Sequence, residues 1–145
     1  MRAKTRQLIL ASFVALISAS VILPAQADAP NALIAQGDQQ WAEGHLDLAQ
    51  KAFEQAVIAE PRSVSAHMKL AGLQLYRQEF KASIETYQWT IGLDPQNARA
   101  WLGLGFSYLH TGNNDLSLAA FTEAIRVDPG NKEKLAPVLA KLGAP

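Results

Sequence analysis

Apolar and small residues in the last third of the chain fall on two helical faces. Trp101, Leu104, Gly105 and Tyr108 recur at three- and four-residue steps, and after Gly112-Asn113 so do Leu118, Phe121, Ala124 and Ile125. This spacing sets each group on one side of a helix. Glycine in the break suits the left-handed residue that ends a helix. Pro129 closes the second helix, because the residue before a proline is driven out of the helical region. The same pattern of two helices around a turn occurs twice upstream. Gly44-His45 stands at the first turn; Gln78-Glu79, which lacks the glycine, stands at the second.

The three units share one period. Pro61, Pro95 and Pro129 lie 34 residues apart, each preceded by an acid: Glu60, Asp94 and Asp128. Phe53, Tyr87 and Phe121 form an aromatic column. Gly37, Ala71 and Gly105 form a small one, Ala56, Thr90 and Ala124 another, and Ser63, Asn97 and Asn131 a column of good N-caps. A 34-residue period with these columns resembles the tetratricopeptide repeat family. The third unit matches its pattern best, through Trp101, Leu104, Gly105, Tyr108, Phe121, Ala124 and Pro129, with Ser117 in an alanine position. The second has His67 in place of tryptophan and Gln74 in place of tyrosine. The first has Gln36 and Gln40 where large residues are usual.

The resemblance implies an all-α fold, a right-handed α-solenoid of three helix-turn-helix repeats over 30–63, 64–97 and 98–131. One helix pair cannot bury its apolar faces alone, and stacking in series builds the core. A capping helix is expected over about 132–142, with Leu135, Val138, Leu139 and Leu142 on one face and Lys132, Lys134 and Lys141 supplying charge. Pro137 either kinks a helix begun at Asn131 or marks a fresh start near Ala136.

The N-terminus adds a compartment. Arg2, Lys4 and Arg6 precede the uncharged run LILASFVALISASVILP, and Ala25-Gln26-Ala27 follows. Basic, apolar and small-x-small segments in this order predict a secretory signal peptide over 1–27, cleaved after Ala27. Without an Arg-Arg pair the general secretory route is expected. The bacterial periplasm is the first choice of destination, ahead of a thylakoid lumen or the extracellular space. Left uncleaved, the segment would be a membrane anchor. Three of the 13 basic residues and none of the 13 acidic ones lie in this segment, which leaves residues 28–145 with 10 against 13, or −3. A mildly acidic domain gives no electrostatic case for nucleic acid. The absence of cysteine removes disulfides and thiolate chemistry.

Little else suggests chemistry. His45, His67 and His110 lack metal-ligand spacing, and His67, in the column of Trp101, is explained by packing. No Gly-x-Ser-x-Gly elbow or paired acid stands out. No enzyme activity, metal or cofactor is expected. The partner is expected to be a protein or peptide, and the chain a monomer or an end-to-end dimer.

The resemblance also implies a concave groove lined by the first helix of each repeat. Its expected partner-binding residues are Trp41, Met68, Lys69, Leu75, Tyr76, Arg99, Leu102, Gly103, Phe106 and His110, with Asp38 as the groove's anion. One subset of the family holds a chaperone's C-terminal carboxylate in a five-residue polar clamp. Those positions carry Ile34, Asp38, Lys69, Arg99 and Gly103 here, and only Arg99 keeps the expected charge. Gly103 weakens a helix by about 1 kcal/mol relative to alanine, and its place in the groove suggests that it clears space for a ligand backbone. A rival reading is an assembly subunit that uses the convex face or the solenoid ends.

Overall fold

The computed structural model describes residues 29–143, so the segment read as a signal peptide lies outside the described residues. Seven helices follow in order: α1 (Ala29–Ala42), α2 (Leu46–Ala59), α3 (Val64–Tyr76), α4 (Phe80–Leu93), α5 (Ala98–His110), α6 (Asn114–Val127) and α7 (Asn131–Lys141). α1 pairs with α2, α3 with α4 and α5 with α6, and each pair docks on the next through α2 on α3 and α4 on α5. The first helices also touch one another, α1 to α3 and α3 to α5, while α2, α4 and α6 make no mutual contact. The result is an all-α solenoid of helical repeats, with α1, α3 and α5 along its inner side.

The periodic columns have direct physical counterparts. Glu60, Asp94 and Asp128 each leave the helix and donate a final backbone hydrogen bond, to Ala56, Thr90 and Ala124 respectively. Ser63 and Asn97 then cap the next helices, accepting from the Ala66 and Ala100 amides at 3.4 and 3.1 Å. Asn131 departs from its column. It is the first residue of α7 and not its cap, and its buried amide donates to the Ala124 carbonyl at 3.3 Å. His67 does what Trp101 does. Trp101 Nε1 donates to the Pro95 carbonyl at 2.9 Å, and His67 Nε2 meets the Pro61 carbonyl at the same distance. A carbonyl only accepts, so Nε2 carries the proton.

Each hairpin of the first and third repeats closes over a glycine. Phe53 and Phe121, both wholly buried, press against Gly37 and Gly105. A Cβ on Gly105 would come within 2.5 Å of Phe121 Cδ1 and Cε1, and one on Gly37 would strike Phe53 in the same way. Buried hydroxyls tie the later helices together. Ser117 donates to the Gly105 carbonyl at 2.9 Å; Ser107 donates to the Gly103 carbonyl at 2.8 Å and meets Ser83 Oγ at 2.7 Å.

The turns show one strained position. Gly44 and Gly112 take φ of 82° and 75°, and Gln78, in the same register, takes φ of 64°. A residue with a Cβ loses about 1–2 kcal/mol in this left-handed region, partly offset because glycine has more backbone entropy to lose. Gln78 is exposed. Gln78→Gly is therefore expected to stabilise the fold by about 0.5–1 kcal/mol. Urea denaturation checks it, and an unchanged midpoint would show that the turn bears no strain.

Gln36 occupies the register of the buried Leu70 and Leu104 but is exposed, since no earlier repeat covers it among the described residues. α7 runs from Asn131 through Pro137 to Lys141 without a fresh start at Ala136. It packs on α6, burying Leu135 and Asn131 and leaving Lys132, Lys134 and Lys141 outward. The charged outer side of α7 suits the capping unit that a solenoid needs for solubility.

Candidate groove on the inner face

The side chains expected in the groove divide by exposure. Tyr76 is 64 % exposed and Phe106 37 %, and each rests on another aromatic. The Tyr76 ring lies 5.8 Å from Trp41, whose own edge meets Phe53 at 6.3 Å. The Phe106 ring meets Phe121 edge-on at 5.0 Å. His110 is exposed and stacked on Phe80 at 4.8 Å with an interplanar angle of 3°. Arg99 is exposed and has no ion pair among the described residues. Met68 and Leu75 are half-buried against the central core, and Trp41 packs in the same way on the Phe53 cluster. Leu102 is half-buried.

Two groove residues have roles that the linear sequence does not reveal. Lys69 Nζ donates to both Asp38 oxygens at 2.7 Å, bridging α1 and α3. In the linear sequence they stand as a separate cation and anion, whereas the structure holds a neutral pair. With both side chains about two-fifths exposed, the pair adds little stability, but it occupies the Lys69 ammonium. Arg99 is left as the groove's unpaired cation.

Gly103 is the second correction. It is buried, and a Cβ there would come within 2.5 Å of Tyr87 Cε1 and Cε2 and closer still to Cζ. It makes room for the Tyr87 ring and not for a ligand. The cause is the residue at the small-residue position of the second repeat. Phe53 and Phe121 lie on glycines in their own repeats, but Tyr87 faces Ala71, whose methyl group fills that space. The Tyr87 ring instead crosses into the next repeat, lies on Gly103 of α5, and joins Ala71, Ala100, Leu104 and Ala120 in one buried cluster.

The free glycine of the inner face is Gly72. A Cβ there would meet only Trp41 Cη2 and Tyr87 Oη, both at 3.8 Å, an ordinary contact distance. Gly72 thus floors a notch between the indole edge and the phenol oxygen. Burial pushes the Tyr87 hydroxyl up to about 12, against the opposing charge of Arg99, so it is a protonated donor across the physiological range. Sequence reasoning missed Tyr87 as an inner-face residue. The available signal was the alanine at position 71 beside an aromatic column otherwise paired with glycine.

With this geometry in place, the comparisons with known proteins agree. The tetratricopeptide repeat profile matches residues 34–78 and 69–132, and the chain belongs to the tetratricopeptide repeat family. It is similar to the Schizosaccharomyces pombe general transcriptional corepressor ssn6, 28% identical over 115 residues, covering 74% of this chain and 10% of that protein. It is also similar to Saccharomyces cerevisiae superkiller protein 3, 34% identical over 74 residues, covering 50% of this chain and 5% of that one. The chain thus spans a tenth or less of these relatives. Among solved structures it resembles the first repeat domain of Spaghetti (RPAP3) bound to the HSP90 peptide SRMEEVD. That match has a TM-score of 0.76 at 15% identity and covers 80% of this chain and 91% of that one. MamA from Desulfovibrio magneticus RS-1 gives a TM-score of 0.65 at 21% identity, covering 69% and 56%. At these identities the likeness shows the fold, which is one typical of protein-interaction scaffolds.

Proposed function

We propose that this protein is an exported scaffold that captures a segment of another protein along its inner face, by surface complementarity and without covalent chemistry. The observation that carries the reading is the pair of exposed aromatics, Tyr76 and Phe106, each fixed from beneath by a second ring. Rigid aromatics give large contact area at low entropic cost and dominate binding energy where they can be desolvated. Export rests on the leader pattern ending in Ala25-Gln26-Ala27, with the bacterial periplasm as the proposed destination. Replacing Tyr76, Arg99 and Phe106 together with serine is expected to abolish in-cell crosslinking to the partner. The helical circular dichroism should stay unchanged, since all three side chains are exposed. Crosslinking that survives the triple substitution would move the contact off the inner face.

A second reading has its own observation. Between α4 and α6, on the outer side, lies an apolar cavity of about 410 Å³ walled by Ile91, Trp101, Leu104, Tyr108, Leu116 and Ala120. Leu116 is half exposed there. An assembly role through the convex face would use this cavity, and it gains if the triple substitution leaves crosslinking intact.

A further inference from the structure

We infer that the Tyr87 hydroxyl is the polar anchor of the groove, donating a hydrogen bond to a main-chain carbonyl of an extended peptide that crosses Gly72. This rests on the inner-face reading above and names the atom that would hold the occupant in register. Tyr87 keeps only 5 % of its surface, yet its hydroxyl has no hydrogen-bond partner among the described residues. Gln50 Oε1 is the one wholly buried side-chain polar atom left unpaired among them, so the Tyr87 oxygen is not sealed in the core and reaches the surface. That oxygen lies 3.8 Å from where a Cβ on Gly72 would stand, as does the edge of Trp41, and the missing Cβ leaves the notch between them.

The occupant follows from the walls. A phenol fixed on Gly103 by a packed core cannot swing to find a partner elsewhere, so its donor direction is preset. A glycine floor lets a main chain approach where a side chain would hold it off. The neighbouring Lys69 is already neutralised by Asp38, and Arg99, whose charge reaches the Tyr87 hydroxyl, is the cation left on this face. Tyr76 from α3 and Phe106 from α5 stand on the same inner face, available to side chains of the same peptide. A donor with so little surface is poorly served by water, and a peptide carbonyl pairs it fully.

The test starts from an immobilised array of random 12-residue peptides, whose best binder is labelled and titrated by fluorescence polarisation. Tyr87→Phe keeps the ring on Gly103 and removes an unpaired hydroxyl, so it should not lower the melting temperature while weakening the peptide about three- to tenfold. Gly72→Ala fills the notch without a clash. It should raise the melting temperature, because alanine favours the helix, and weaken the peptide at least as much. A thioamide, a poorer acceptor, placed at one peptide position should lower affinity for the wild-type protein but not for Tyr87→Phe. If Tyr76→Ser with Phe106→Ser abolishes binding but Tyr87→Phe and Gly72→Ala bind like wild type, the anchor is wrong and the groove stands. If no array peptide binds, or binding survives loss of Tyr76 and Phe106, the groove reading falls and the anchor with it.

Discussion

Gly103→Ala is expected to destabilise the protein by about 1–3 kcal/mol, the usual cost of forcing an extra carbon into a packed core. Helix propensity alone predicts the opposite, a gain of about 1 kcal/mol. The difference lies in the Tyr87 ring, which already occupies the place of the new methyl group. The ring has little room to retreat, because Ala71, Ala100, Leu104 and Ala120 enclose it with almost no exposure. A double-mutant cycle isolates the cause. In a Tyr87→Ala background the added methyl has space, and Gly103→Ala should become neutral or stabilising. Equal losses in both backgrounds, measured by urea denaturation, would show that Tyr87 is not what the glycine accommodates.

Phe121→Ala should cost more, about 3–5 kcal/mol, in line with deletion of a fully buried aromatic ring. Phe121 has no exposed surface, covers Gly105, and supports Phe106 from below. Its loss opens a cavity between α5 and α6 and removes the support of an inner-face aromatic. In a solenoid each repeat touches only its neighbours, so the damage should be local. Hydrogen exchange should quicken across α5 and α6 first, while α1 and α2 keep their protection. A loss below about 1 kcal/mol would mean that the hairpin collapses around the missing ring, contrary to the tight packing seen here.

The period, the helix pairs and the caps at Ser63 and Asn97 were legible because each follows from local spacing or from a side chain reaching three residues ahead. Gly105 was legible too, since its column pairs with an aromatic in the same repeat. Gly103 was not. Its meaning depends on a methyl group 32 residues upstream, at Ala71, which diverts a ring that lies on neither element. Lys69 and Asp38 each looked like an open charge because sequence does not show which helix faces which. Gln78 was legible only in part. Its left-handed geometry is imposed by the hairpin that it joins, and only its register with Gly44 and Gly112, not the residue itself, points to it. The aromatic and cationic positions of the inner face were found by register alone. The notch at Gly72 emerged only when the rings had places.

The crossing of Tyr87 into α5 makes the order of the repeats matter. Solenoid units are commonly treated as interchangeable bricks, but the second one fits only a successor with glycine at its sixth position. Gly103 satisfies that condition; the second repeat carries Lys69 there itself, and the first carries Ala35. Neither a duplicate of the second repeat nor a copy of the first could follow it without striking the tyrosine. The middle and last repeats therefore form one matched pair, and any shuffled or lengthened array built from this chain has to move them together.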